Sequence, residues 1–221
     1  MLYVPLTVAV VGLLAYWWRC DRDRVAWFQR CAQERNLRFS RHDLLDVPWR
    51  YGHCALLRIG HSIRVSNMVC GSHEAGLWVG FHQDCDVGLG AGRVGLRRCV
   101  ALLETPNNVE AVCVPADATF RRAMPVDVSL GSLSFRSVTT QDEHTHALYA
   151  RRHSAAQAAR MGRLLEAVKG YPADWTWEVR TDVILAASLA APREEKLAML
   201  LDAVADVSRR LHAEPAPKER L

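Results

Sequence analysis

The feature that most constrains this chain is an apolar run near its start. From Leu2 to Trp18, seventeen residues pass without a charged side chain, and Arg19 ends the run. A membrane-spanning helix needs about 20 apolar residues, and roughly 17 is the lower limit. Aromatic side chains at the end of the run can extend its reach, because they favour the membrane interface. The run therefore predicts an N-terminal transmembrane helix, with residues 1–19 as a membrane anchor.

The end of this run supplies the side chains expected to hold the anchor in the membrane. They are Leu13, Leu14, Tyr16, Trp17, Trp18 and Arg19. A cleaved signal peptide would need a basic residue before the run and small residues at a cleavage site, and the sequence has neither. Basic residues come after the run instead, which places the rest of the chain on the cytoplasmic side. The sequence thus predicts a single-pass protein of the bacterial inner membrane, with its N-terminus outside and membrane lipid as a partner.

Composition limits the kind of domain that the anchor can carry. Hydrophobic residues make up 50% of the chain and charged residues 24%, which is typical of a globular domain with a core. The net charge is only +4 and no block of five like charges occurs, so we expect no nucleic-acid partner. The seven cysteines are an odd number in a domain expected in the cytoplasm, which favours reduced thiols over disulfides.

Residues 20–39 are predicted to form a short amphipathic helix next to the membrane. Val25, Trp27 and Phe28 recur at helical spacing, and arginines take the other side. This helix could lie in the lipid headgroup layer, or it could cover the sheet predicted after it. The sequence leaves both readings open.

Short apolar runs separated by turns predict a β-meander after this helix. The predicted strands are 54–59, 63–69, 77–82, 99–103 and 109–114. Further strands are predicted at 133–138 and 145–150, and a hairpin at 175–179 and 183–188. Runs this short, with such short connections, favour antiparallel pairing.

Two amphipathic helices are predicted in the C-terminal half. Ser154 and Gln157 form an S-x-x-Q capping box, and the helix that they open ends near Gly170. A last helix begins at Pro192 and ends at His212. The predicted fold is α+β: a transmembrane helix, an antiparallel meander domain over residues 40–212 with two C-terminal amphipathic helices, and a loose tail at 213–221.

One cysteine and histidine pattern resembles a zinc site. Cys70-x-x-His73 and His82-x-x-Cys85 have the residue types and spacing of a tetrahedral site. A strand at 77–82 would hold the two pairs about 20 Å apart, since each residue advances about 3.3 Å. All zinc ligands must lie within about 2.3 Å of one ion. We therefore predict no metal, no cofactor and no catalytic residue here.

Two weaker patterns have ordinary explanations. Gly90–Gly95 matches G-x-G-x-x-G, but a predicted strand comes next where a dinucleotide site needs a helix, so a flexible hairpin loop is expected. Asp84 and Asp86 resemble the start of a calcium loop, but Gly95 stands where a glutamate should close it. These patterns predict no ligand.

A histidine pair in the polar stretch after residue 140 allows two readings. His144 and His146 could be two ligands on one face of a strand, or they could lie on a solvated edge. The polar surroundings favour the solvated edge. The chain also lacks a G-x-S-x-G nucleophile motif.

The order of elements and three stretches resemble a family of bacterial single-pass, membrane-anchored proteins with a cytoplasmic α+β domain. The stretches are NMVCG at 67–71, GLWVGFH at 76–82 and WTWEV at 175–179. The chain differs from the family pattern at His82 and Gln83, where the family has Asp-Tyr. The resemblance implies the same architecture and no catalytic residues.

These observations favour a non-enzymatic accessory or scaffold subunit of a larger bacterial membrane protein complex, such as a photosynthetic or respiratory one. Its partners would be other membrane-protein subunits. One alternative is a membrane-tethered metal-dependent enzyme or metal sensor that uses Cys70, His73, His82 and Cys85. Another is a lipid-binding or peptide-binding module, which would need an exposed apolar groove on the sheet.

Overall fold

The computed structural model describes nine stretches of the chain: residues 3–74, 76–87, 94–107, 110–115, 135–138, 146–151, 155–172, 174–188 and 194–213. The helices are α1 (Tyr3–Glu34), α2 (Val47–Arg50), a short 3-10 helix (Leu56–Arg58), α3 (Ala155–Val168) and α4 (Glu194–His212). The strands are β1 (Arg38–His42), β2 (His61–His73), β3 (Gly76–Val87), β4 (Val94–Glu104), β5 (Ala111–Pro115), β6 (Phe135–Val138), β7 (His146–Arg151), β8 (Trp175–Val179) and β9 (Val183–Ser188).

The strands form one nine-stranded antiparallel sheet in the order β1-β2-β3-β4-β9-β8-β5-β7-β6. Strands β1 to β4 pair in succession as a meander. The hairpin of β8 and β9 then inserts between β4 and β5, so the centre of the sheet is not a simple meander. Every residue of β8 and β9 is buried, as expected of strands at the centre of a sheet that is covered on both faces.

The N-terminal helix α1 is continuous over 32 residues and does not provide a membrane span. Within the described stretches, no helix is long and apolar enough to cross a membrane. The uncharged part of α1 runs from Tyr3 to Trp18, sixteen residues, and charged residues at 19 and 21–24 continue the same helix. The predicted transmembrane helix is therefore wrong. The fold class that contained it and the single-pass inner-membrane localisation are wrong with it.

One face of the sheet is covered by helices. The C-terminal third of α1 packs there through Phe28, Cys31 and Ala32, beside α3 and α4. The close approach of α4 requires a glycine in β3, because a Cβ at Gly80 would lie 2.8 Å from Cδ1 of Leu197. From the sequence, the helix in residues 20–39 could lie in the lipid headgroup layer or cover the sheet. In the structure, the buried side of this helix covers the sheet.

The opposite face of the sheet is covered by the connection between β1 and β2. We call residues 43–60 the cover segment. Its buried apolar residues pack against the inner side chains of β3, β4 and β9, and they are Val47, Tyr51, Cys54, Ala55, Leu56, Leu57 and Ile59. The predicted strand at 54–59 is wrong: the structure has a 3-10 helix at Leu56–Arg58, and backbone groups of residues 55–57 bond to side chains of the sheet instead of to a neighbouring strand. The domain thus has three layers.

Candidate interaction surface

The N-terminal half of α1 carries an exposed apolar stretch. We call residues 6–19 the projecting segment, because every one of these residues is exposed. Fourteen helical residues span about 20 Å. Leu13 is 68% exposed and Trp17 is 69% exposed. Nine of the twelve exposed large hydrophobic side chains in the described part of the chain lie on this segment. Side chains of this size normally lie in a core or in an interface.

The apolar side chains of the projecting segment point in opposite directions. Leu6, Val10, Leu13 and Trp17 recur at helical spacing and share one side. Val8, Val11 and Trp18 lie on the other side. A helix that is apolar all round is typical of a segment that is surrounded by other apolar groups.

A sharp chemical boundary ends the projecting segment. Cζ of Arg22 lies 5.5 Å from the centre of the Trp18 ring, a cation–π contact, and Asp21 pairs with Arg24 at 3.9 Å. From Val25 onward, α1 becomes amphipathic and packs on the sheet. The predicted anchor residues Leu13, Leu14, Tyr16, Trp17, Trp18 and Arg19 are therefore all exposed on the projecting segment. They lie on all sides of the helix over about two turns.

The four residues of the zinc-like pattern do not form one site. The register of β2 and β3 pairs Cys70 with Val79, six residues along β3 from Cys85. Alternation along β3 places His82 and Cys85 on opposite faces of the sheet. Among the described residues, no group of three or more His, Cys, Asp or Glu side chains is placed to hold a metal ion. The residues present therefore do not fit a shared zinc ion.

His82 faces the helical layer as a buried, neutral imidazole. Its ring contacts the Phe28 ring edge to face, with 4.6 Å between ring centres. Burial, reinforced by the positive charges of Arg24 and Arg97, lowers the pKa of His82 to about 3, and Asp84 opposes this only in part. His82 is therefore uncharged at neutral pH and serves as a packing residue.

Beneath the cover segment lies a buried polar network. Both carboxylate oxygens of Glu178 accept hydrogen bonds from the cover segment: Oε1 from Ala55 N at 2.8 Å and Oε2 from Leu56 N at 2.7 Å. Nε of Arg180 also donates to Glu178, at 2.6 Å. A carboxylate that accepts several backbone and guanidinium N–H groups fixes the chain that carries them. Glu178 therefore ties the cover segment to β8.

Arg98 makes a second tie between the sheet and the cover segment. Its guanidinium is fully buried, donates to Oε1 of Gln83 and donates to the carbonyl of Leu56. Nε2 of Gln83 donates in turn to the carbonyl of Leu57 at 3.0 Å. Burial lowers the pKa of Arg98 to about 10. These bonds provide hydrogen-bond donors for the carbonyls of Leu56 and Leu57, which belong to the 3-10 helix and are not paired with a strand.

The remaining predictions concern a ligand groove, a calcium loop, the glycine-rich loop, a histidine pair and the tail. The cover segment lies on the sheet face opposite the helices. The apolar groove that a lipid-binding or peptide-binding module would need is therefore filled on that face. Asp84 pairs with Arg97 on the neighbouring strand. Most of the glycine-rich loop, residues 88–93, lies outside the described residues, as do His144 and the tail from 214 to 221. His146 begins β7, without a described side chain.

Comparison with known proteins adds one likeness of fold. No protein-family model matches the chain, and a search of curated proteins finds no match. Among solved structures, the chain is similar to the crystal structure of the mycobacterial trehalose monomycolate transport factor A, TtfA. The TM-score is 0.58 at 12% sequence identity, over 89% of this chain and 99% of that one. At this identity, the likeness establishes the fold alone.

Proposed function

We propose that this protein is a non-enzymatic accessory subunit of a larger protein assembly, and that the projecting segment of α1 is its docking element. The observation that carries the proposal is the exposed apolar surface of residues 6–19, which is joined to a packed domain. A free helix of this composition is poorly soluble, so another molecule must cover it. Docking to a partner meets that requirement.

The partner is inferred to be a protein that contributes several apolar helices. A single partner helix covers only one side of α1, whereas Leu13 and Val11 lie on opposite sides. A socket of several apolar helices covers every side of the segment.

The accessory role is supported by the separation of the residues that could carry chemistry. His82 and Cys85 lie on opposite faces of the sheet. Glu178 and Arg98 are both hydrogen-bonded to the cover segment. The structural neighbour TtfA is named as a transport factor, and an accessory role in a transport assembly is consistent with that name. We extend the proposal to a partner assembly that acts in transport, which the name of this neighbour supports.

The test is quantitative affinity capture of the full chain from the cells that make it. The chain carries a C-terminal tag, extraction is gentle, and the eluate is analysed by mass spectrometry. The wild-type chain should bring down a stoichiometric set of proteins. A variant with Val10→Ser, Leu13→Ser, Leu14→Ser and Trp17→Ser should lose that set at least a hundredfold, since burial of each large apolar side chain contributes about 1.5–3 kcal/mol.

The matched control changes exposed residues on the packed half of the same helix. Gln29→Ser and Gln33→Ser remove no apolar surface and should leave capture unchanged. Circular dichroism and the urea midpoint should be the same for all three chains, because none of the altered side chains is buried. A wild-type chain that elutes alone as a monomer, or a quadruple variant that captures the same set, would reject the proposal.

A further inference from the structure

We draw no further inference here: the strongest candidate, the fully buried guanidinium of Arg98 beneath the cover segment, whose Nη1 atom lacks a hydrogen-bond partner, belongs to the polar network already described, and nothing in the described part of the chain shows what ligand it would bind.

Discussion

Replacing Glu178 with glutamine tests whether one buried carboxylate holds the cover segment to the sheet. Glu178 is fully buried and accepts three hydrogen bonds, two from backbone N–H groups of the cover segment and one from Arg180. Glutamine keeps one oxygen acceptor but turns an NH₂ group toward one of these donors. The change therefore leaves a buried N–H without an acceptor and removes the negative charge beside a buried arginine.

The expected cost is the sum of these losses. A hydrogen bond to a charged group contributes about 1.5–3 kcal/mol against about 0.5–1.5 for a neutral one, and a buried unsatisfied donor costs about 1–3 kcal/mol. Two weakened bonds and one lost bond give about 3–5 kcal/mol for Glu178→Gln, the range found when buried ion pairs are broken. That is a large part of the roughly 5–15 kcal/mol typical of a domain.

The assay is urea unfolding monitored by far-UV circular dichroism, with amide hydrogen exchange at Ala55 and Leu56. These two amides should lose protection more than the amides of β8. The control is Asp182→Asn in the same hairpin, whose partner His53 lies 3.1 Å away at the surface, and it should cost under about 1 kcal/mol. A Glu178→Gln variant as stable as Asp182→Asn would refute the reasoning.

Three further predictions concern other side chains. The pKa of His82 is about 3 in the folded chain and about 6.5 in the unfolded chain. The unfolded chain therefore binds more protons, and the free energy of unfolding falls as the pH drops below about 6.5. His82→Leu should remove about 2 kcal/mol of the stability loss between pH 7 and pH 5, measured by urea titration at each pH. Gly80→Ala should cost about 1–3 kcal/mol by calorimetry, because its Cβ would press on Leu197. In native protein at pH 8, a thiol reagent should modify about one of the seven cysteines quickly, and Cys20→Ser should abolish that phase, because Cys20 alone is not buried.

Local patterns predicted the elements whose signals are local. The hairpin at 175–179 and 183–188 coincides with β8 and β9, since both strands are apolar and the polar turn between them is short. The first C-terminal helix begins one residue after the predicted cap, Ser154, and the last helix ends at His212 as expected. Strand order was not predictable in this way, because insertion of the hairpin between β4 and β5 depends on long-range pairing.

The errors at the N-terminus and in the cover segment have physical causes. The uncharged run from Leu2 to Trp18 predicted a membrane-spanning helix. In the described residues, the uncharged part of the helix is too short to cross a membrane, and the same helix continues directly into charged turns. Residues 54–59 have the composition of a strand, yet their backbone groups bond to Glu178, Arg98 and Gln83 instead of to a neighbouring strand. Charged residues inside otherwise apolar strands, such as Glu178, were the available signal for this network.

The candidate surface was visible in the sequence, although its role was misassigned. The six predicted anchor residues all lie on the projecting segment. An apolar run indicates that a helix needs apolar surroundings, but it does not indicate whether lipid or protein provides them.

The measurement that tests the central claim most directly is photo-crosslinking from two opposite sides of the projecting segment. Positions 11 and 13 differ by two residues, about 200° around the helix. If α1 docks in a socket of apolar helices, p-benzoylphenylalanine at either position should crosslink the same partner protein with similar yield, at two different helices of that protein. Crosslinking from only one side, or mainly to lipid or to a second copy of this chain, would contradict the account.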